Sequence, residues 1–253
     1  MTPIVKTVEA SPEGRPLSRA AGALLDFLFP PRCPVCDAPQ ERGVGPCPRC
    51  FAALDAAREA RVQQGRHDFS HLPEAPVFDW ALTGWRFTPE VAGCIHRLKY
   101  RDRRKLARML GCQLAAMLRD NPPPAPNWIL LPIPLHAVRK RERGYNQSAL
   151  LARAVASTLS CPLDEKLLKR RRQTATQTRL DAEARQRNVS GAFGLAKGRP
   201  CEGLAFLLLD DVITTGATMD ACARVLKAAG AAWVGGLAVS RPELDALRNA
   251  PLV

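Results

Sequence analysis

A buried strand that ends in two adjacent carboxylates is the feature that most constrains what this chain can fold into. The apolar run 204–209 is followed by Asp210 and Asp211, a short turn, and a helical pattern from Met219. Such a run favours a strand buried on both faces, and a turn that enters a helix presents free backbone N–H groups suited to a phosphate. The acids suit sugar hydroxyls, or a cation that bridges to them. Together these groups predict a site for a ribose 5-phosphate.

The turn after the acids is rich in hydroxyl groups around a single glycine. An ordinary strand–turn–helix junction, with solvated acids and Thr214 as a plain N-cap, is the alternative interpretation. Two adjacent acids and three threonines are more than a turn requires, so we favour a ligand site. The stretch resembles the diphosphoribosyl-binding motif of type I phosphoribosyltransferases. The predicted site residues are Asp210, Asp211, Thr214, Thr215, Gly216, Ala217 and Thr218.

Four of the nine cysteines form two CxxC pairs that are close together in the sequence. Two such knuckles joined by a tight loop bring four thiolates to the corners of a tetrahedron, the geometry that Zn²⁺ prefers. An iron–sulfur cluster or a redox-active pair is the alternative, although a redox motif needs only one pair. Because four thiolates leave no open coordination position, we predict a structural zinc ion, whose binding supplies folding free energy to a segment with few large apolar residues. The predicted ligands are Cys33, Cys36, Cys47 and Cys50.

Strands that alternate with helices predict an α/β protein with a doubly wound, mainly parallel sheet. Ligands of such sheets bind beyond the carboxyl ends of the strands, where we expect the loop at 210–218 to meet the loop after a strand at 128–133. We divide the chain into a disordered N-terminus (1–19), a zinc ribbon domain (20–62), a linker (63–76), the α/β domain (77–242) and a C-terminal tail (243–253). Further predicted elements are helices at 51–62, 89–98, 103–119, 147–159, 181–188 and 219–229, a strand pair at 77–87 with its turn at Thr83-Gly84, and strands at 204–209 and 232–239.

The excess of positive charge is unusual for an enzyme that acts on small molecules. The 253 residues carry a formal net charge of +13, which suggests an anionic partner, with nucleic acid as the first candidate. Three basic segments, 97–108, 139–143 and 166–172, together hold sixteen cations against two acids, and such surfaces attract phosphate backbones. Solvated helix faces are the alternative interpretation. The predicted nucleic-acid contacts are Arg101, Arg103, Arg104, Lys105, Arg139, Lys140, Arg141, Arg170, Arg171 and Arg172.

The sequence shows no secretory signal and no apolar run of about 20 residues, so we expect a cytoplasmic protein without a membrane span. In a reducing cytoplasm, the nine cysteines are expected to be free thiols or metal ligands rather than disulfides. A hydrophobic content of 46% allows a sizeable core.

Six motifs follow one another in order along residues 20–240. In this order and spacing they resemble the ComF family of double-zinc-ribbon, phosphoribosyltransferase-like proteins, which are implicated in DNA uptake and natural transformation. The resemblance implies a type I phosphoribosyltransferase-like fold with a small N-terminal zinc ribbon domain. The motifs are the cysteine ribbon, Leu98-Lys99-Tyr100, Pro132-Ile133-Pro134, Arg141–Gln147, Thr174–Gln177 and Asp210–Thr218.

The resemblance also implies a ligand, phosphoribosyl pyrophosphate with Mg²⁺. Asp210 and Asp211 match the ribose-binding acids of the family, and the threonine–glycine turn matches its loop around the 5-phosphate. Single-stranded DNA and other DNA-uptake or recombination proteins are the implied partners. The sequence shows no recognisable pocket for an acceptor base, so turnover stays open, and a phosphoribosyltransferase of nucleotide salvage with no nucleic-acid role is the alternative. The residues that we expect near the pyrophosphate are Lys99, Pro132, Ile133, Pro134 and Arg143.

Overall fold

The computed structural model describes residues 31–40, 45–64, 69, 75–99, 104–172 and 191–242. These residues form a five-stranded sheet flanked by six helices, and a separate two-stranded sheet. Several predictions fall outside the described residues, namely those for the N-terminus at 1–19, most of the linker, the helix at 181–188, the motif Thr174–Gln177, the tail at 243–253, and the residues Tyr100, Arg101 and Arg103.

The strands of the central sheet are arranged in an order that differs from their order in the sequence. They span Arg58–Gln64 (β1), Trp80–Arg86 (β2), Ile129–Pro132 (β3), Ala205–Val212 (β6) and Trp233–Arg241 (β7), and the separate sheet pairs Leu168–Arg170 (β4) with Phe193–Leu195 (β5). The order in space is β1-β2-β7-β6-β3. Strands β2, β7, β6 and β3 are parallel, and β1 at one edge is antiparallel to β2. The predicted α/β class and mainly parallel sheet are confirmed.

Helices cover both faces of the central sheet. They span Pro48–Ala56 (α1), Pro89–Lys99 (α2), Arg104–Asp120 (α3), Ala137–Arg143 (α4), Gln147–Leu159 (α5) and Ala217–Ala228 (α6). Because side chains alternate along a strand, Leu207 and Leu209 of β6 enter the core that holds α2, α3 and α5, whereas Phe206 and Leu208 enter the core that holds α6 and the two-stranded sheet. Among the described helices, none has both the length and the apolar character that crossing a bilayer requires.

Residues 80–86 form one continuous strand, so the predicted strand pair with a turn at Thr83-Gly84 is wrong. Strand β2 passes through Gly84 and pairs in parallel with β7 on both sides of it. A Cβ atom at Gly84 would lie 2.9 Å from Leu114 Cδ2 and 3.0 Å from Met117 Sδ. Gly84 therefore permits α3 to pack closely on the sheet. Glycine serves turns and close approaches alike, and only the packing distinguishes them.

The predicted helix at 51–62 is correct only in its first half. Helix α1 ends at Ala56, and the chain then enters β1, which also contains the predicted end of the zinc ribbon domain. Pairing with β2 explains the difference, since the buried Gln63 donates to Thr83 Oγ1 (3.0 Å) and accepts from Arg241 Nη1 (2.9 Å). These long-range contacts override the helix propensity of an alanine-rich segment.

The cysteine-rich segment shares a hydrophobic core with the central sheet. Cys33 and Leu54 are buried in one cluster with Trp85 of β2 and Cys94 of α2. The backbone N–H of Arg86 donates to Ala57 O (2.9 Å), and this hydrogen bond links the end of α1 to β2. Changes at the cysteine cluster are therefore expected to reach the sheet.

We expect Cys36→Ser to destabilise the whole chain, because the thiolate cluster and the sheet share one core. Loss of this ligand should release the zinc ion and lower the free energy of unfolding by roughly 3 kcal/mol or more, in a single transition. Urea unfolding with parallel zinc analysis measures both quantities. Cys112→Ser, at a partly exposed cysteine outside the cluster, is the control and should change neither. A sheet that unfolds at the unchanged urea concentration after Cys36→Ser would contradict the coupling.

Candidate functional site

The two predicted acids lie at the carboxyl end of β6. This strand continues to Val212, three residues beyond the predicted end, and residues 213–216 connect it to α6. The chain after β3 lies beside it, since Ile133 N donates to Leu209 O (2.9 Å). The structure thus brings the loop after β3 and the loop after β6 to one edge of the sheet, as the sequence predicts.

Gly216 shapes the loop that the sequence assigns to a phosphate. Its φ of 87° lies in the left-handed region, and α6 begins at the next residue. A Cβ atom at Gly216 would lie 2.8 Å from Cδ1 of the fully buried Phe69. Phe69 also packs edge-on against Phe78 (4.9 Å between ring centroids) and against the guanidinium of Arg241 (3.9 Å). The sequence analysis missed Phe69 as a support of this loop, although a single large aromatic residue in a polar linker was an available signal.

The three threonines of the loop differ in exposure. Thr215 is buried, and its Oγ1 accepts a hydrogen bond from Ala217 N (3.4 Å), so this hydroxyl helps to hold the first turn of α6. Thr214 and Thr218 are partly exposed. An anion at this helix N-terminus would meet backbone N–H groups, with the partly exposed Thr214 and Thr218 beside it.

Asp210 is held by hydrogen bonds from within the chain. Its Oδ1 accepts from Ser148 Oγ (3.0 Å) at the start of α5 and from the backbone N–H of Asp211 (2.9 Å). Burial, followed by the charge of Asp211, raises the pKa of Asp210 to about 8. The sequence analysis did not single out Ser148, because a serine near a helix start has an ordinary structural role. Added hydrogen-bond donors or a cation would stabilise the ionised form of Asp210.

Asp211 points to the opposite face of β6 and is paired with a cation. Its Oδ2 lies 2.7 Å from Lys99 Nζ, and its side chain is only 8% exposed. Lys99 is the last residue of α2, which packs on that face of the sheet. Lys99 is one of the residues expected near the pyrophosphate, and in the structure its ammonium contacts Asp211.

The loop after β3 is anchored at its first residues. Pro132 and Ile133 are buried, and Asn146 Nδ2 donates to Ile133 O (3.0 Å). Pro134 is partly exposed. Arg143 is also partly exposed and donates to Gln147 Oε1 (3.2 Å) at the start of α5. Among these residues expected near the pyrophosphate, Pro134 and Arg143 are accessible to a ligand, whereas Pro132 and Ile133 contribute packing.

The three arginines at the end of β4 that were predicted to contact nucleic acid lie in two different environments. Arg170 is largely buried, and burial lowers the pKa of its guanidinium while the charge of Asp210 raises it in part. The charge of Arg139 on α4 lowers the pKa of Arg170 further. Arg171 and Arg172 are exposed. The other described nucleic-acid candidates, all of them exposed, are Arg104, Lys105, Lys140 and Arg141.

The four predicted metal ligands converge on one point. Their Sγ atoms lie within 4.8 Å of one another, and those of Cys36 and Cys47 are 3.7 Å apart. A tetrahedral Zn²⁺ with Zn–S bonds of about 2.3 Å places its sulfurs about 3.8 Å apart, so the cluster fits this ion. Burial raises the pKa of Cys33, but the backbone N–H groups of Cys36, Cys47 and Val35 outweigh burial and lower it to about 6. A thiolate at this position suits a metal ligand.

Comparisons with protein families agree with this organisation. The double zinc ribbon domain family matches residues 24–62, and the phosphoribosyl transferase domain family matches residues 146–241. Among solved structures, the chain is similar to glutamine phosphoribosylpyrophosphate amidotransferase from B. subtilis, with 19% identity and a TM-score of 0.39, over 58% of this chain and 31% of that one. It is also similar to hypoxanthine phosphoribosyltransferase from Trypanosoma cruzi, with 13% identity and a TM-score of 0.34, over 55% of this chain and 74% of that one.

Named relatives match the chain over most of their length. The DNA utilization protein YhgH of Salmonella typhi is 34% identical over 206 residues, which cover 80% of this chain and 86% of the relative. Competence protein F of Haemophilus influenzae is 31% identical over 172 residues, which cover 65% of this chain and 74% of the relative. The chain therefore belongs to the ComF family of DNA utilization and competence proteins, in which a double zinc ribbon precedes a phosphoribosyltransferase domain.

Proposed function

We propose that this protein binds phosphoribosyl pyrophosphate with Mg²⁺ at the carboxyl ends of β3 and β6 and handles single-stranded DNA in the cytoplasm during DNA uptake. The main observation in support of this ligand site is the set of charged and hydrogen-bonding groups that lie together at one edge of the sheet. Two acids and a helix N-terminus behind a glycine turn adjoin cations from α2 and β4. The DNA role is supported by the named relatives, which are DNA utilization and competence proteins.

The ribose and its 5-phosphate would use separate groups of the site. The N-terminus of α6, with its backbone N–H groups and the hydroxyls of Thr214 and Thr218, suits the phosphate. The carboxylates of Asp210 and Asp211 accept hydrogen bonds from the ribose hydroxyls. Because such donors stabilise a carboxylate, the ligand would lower the pKa that burial raises at Asp210.

The pyrophosphate group needs positive charge beside the ribose. Lys99 Nζ contacts Asp211, and Arg170 lies close enough to Asp210 for the charge of that acid to raise its pKa. Mg²⁺ in proteins is typically held by one or two carboxylates and by phosphate oxygens, so the two acids are the residues that would hold it. The ion would neutralise part of the pyrophosphate charge. The raised pKa of Asp210 fits such a site, because a divalent cation compensates two adjacent carboxylates.

The surface that we assign to DNA consists of exposed cations on α4 and at the end of β4. Lys140, Arg141, Arg171 and Arg172 are exposed, in a chain whose net charge is +13. Phosphate backbones bind such surfaces by releasing counterions, without base contacts. The Zn²⁺ ion would serve the ribbon as a structural ion, since four thiolates leave it no open position.

Calorimetric titration with phosphoribosyl pyrophosphate and Mg²⁺ tests the ligand site. We expect Asp211→Asn to lower the affinity about tenfold or more, because an amide cannot replace a charged acceptor of hydroxyl groups. Asp120→Asn, at an exposed acid that ends α3, makes the same charge change and should bind as the wild type does. An affinity of Asp211→Asn for phosphoribosyl pyrophosphate equal to that of the wild type would contradict the proposed site. Pyrophosphate release on addition of a nucleobase, without any DNA binding, would instead identify a salvage phosphoribosyltransferase.

Two exposed arginines test the DNA surface. Arg171→Ala combined with Arg172→Ala should weaken binding of single-stranded DNA and reduce the slope of log K against log salt by about 1.4, since each phosphate contact contributes about 0.7. Arg119→Ala, outside the three basic segments, should leave the slope unchanged. Asp211→Asn should retain its DNA affinity if the two sites are separate. An unchanged slope in the double variant would remove this surface from the proposal.

The raised pKa of Asp210 predicts a pH-dependent effect on stability. A carboxyl group with a folded-state pKa of about 8 contributes stability that is fully present below its unfolded-state pKa of about 4 and is lost as the pH rises to about 8. Asp210→Asn mimics the protonated group, so its free energy of unfolding should exceed that of the wild type increasingly from pH 5 to 8, by at most about 1.4 kcal/mol per pH unit. Urea unfolding without added Mg²⁺ measures this difference. A difference that is independent of pH would show that Asp210 is already ionised.

A further inference from the structure

The two acids of the site are held in different ways. Asp210 Oδ1 accepts from the hydroxyl of Ser148 and from the N–H of Asp211, which both belong to packed elements of the fold. Asp211 Oδ2 is met by the ammonium group of Lys99, at 2.7 Å. A lysine ammonium ends a flexible four-carbon stem, whereas the donors to Asp210 are a backbone N–H and a serine hydroxyl with a single side-chain torsion to its oxygen. Asp210 is therefore fixed by the fold, and Asp211 is held by a group that can change its partner.

Helix α2 anchors the backbone of Lys99 and leaves its side chain partly exposed. The preceding Leu98 is buried, and its carbonyl accepts from Tyr145 Oη (2.8 Å). Earlier in the helix, the buried Cys94 belongs to the same hydrophobic cluster as Cys33 and Cys50, so this part of α2 packs beside the cysteine cluster. The side chain of Lys99 is 30% exposed. The helix therefore fixes the backbone from which the Lys99 ammonium reaches Asp211.

We propose that Lys99 is a specificity-determining residue that exchanges partners on ligand binding. Its ammonium neutralises Asp211 in the ligand-free protein and pairs with the pyrophosphate when ribose hydroxyls occupy Asp211. This inference rests on the proposed phosphoribosyl pyrophosphate site and adds to it a means of discriminating phosphoribosyl pyrophosphate from ribose 5-phosphate. The protein would bind the ribose phosphate tightly only when the ligand also carries a pyrophosphate.

The balance of charges favours this exchange. Separating an ion pair at a buried carboxylate is costly unless both ions find new partners. The ribose hydroxyls supply donors to Asp211, and the pyrophosphate supplies a multiply charged acceptor to Lys99 through strong, charge-assisted hydrogen bonds. Ribose 5-phosphate supplies only the first of these, because its phosphate is bound at the N-terminus of α6 in the proposed site. A ligand without pyrophosphate therefore leaves the lysine without a new partner.

Lys99→Gln tests the exchange because it separates the two roles of the lysine. The glutamine amide offers Asp211 a neutral hydrogen-bond donor in place of the ammonium, but the charge for the pyrophosphate is lost. We expect the affinity for phosphoribosyl pyrophosphate with Mg²⁺ to fall about tenfold, and that for ribose 5-phosphate to be unchanged or to rise by about threefold. Calorimetry gives the first value, and displacement of phosphoribosyl pyrophosphate by ribose 5-phosphate gives the second. Lys99→Arg keeps the charge and should recover most of the lost affinity.

Lys197→Gln removes the same charge from an exposed lysine after β5 and should leave both affinities unchanged. A parallel loss of affinity for both ligands in Lys99→Gln would overturn the proposal, because it would show that Lys99 only positions Asp211. Unchanged affinity for phosphoribosyl pyrophosphate would also overturn it. A wild-type protein that fails to bind phosphoribosyl pyrophosphate would reject the proposed function itself, which is a result distinct from these two.

Discussion

The burial of β6 between its parallel neighbours β7 and β3 is the constraint on which the rest of the site depends. Four successive residues, Phe206 to Leu209, are buried and feed alternately into the two cores on either face of the sheet. This packing leaves the strand no freedom of register, because a shift by one residue would exchange the two faces. Asp210 and Asp211 therefore lie at the carboxyl end of β6, on opposite faces of the sheet and just before the turn that leads into α6.

The negative charge of two neighbouring carboxylates at a buried edge requires hydrogen-bond donors or cations, and the fold provides these groups from distant parts of the chain. Ser148 of α5 reaches Asp210, Lys99 of α2 reaches Asp211, and Arg170 of β4 lies close to Asp210. Helices α2 and α5 pack on one face of the sheet, and β4 packs on the other. The site consequently combines residues of β6, α6, α5, α2 and β4. The pKa of Asp210 stays high because burial and the charge of Asp211 outweigh the hydrogen bonds to this carboxyl group.

The zinc ribbon and the proposed phosphoribosyl site are connected through the core rather than through a linker alone. Buried residues of the ribbon and of α2 belong to one hydrophobic cluster, and α2 ends at the lysine that contacts Asp211. Strand β1 follows directly from the ribbon helix and completes the central sheet. Two families of domain are recognisable in the sequence, but in the folded chain their packing is continuous.

The sequence by itself determined the α/β class, the four cysteine ligands, the acid pair and the glycine turn, because each depends on residues that are close together along the chain. Helices α3 and α5 were also predictable, since a repeating apolar face is a local pattern. Only the tertiary structure decided that residues 58–64 form a strand and that Gly84 lies within one, because pairing partners and packing distances outweigh local propensity. The contacts of Lys99 with Asp211 and of Phe69 with Gly216 likewise join residues far apart in the chain. No local pattern specifies such contacts, which exist because the sheet brings its loops to a common edge.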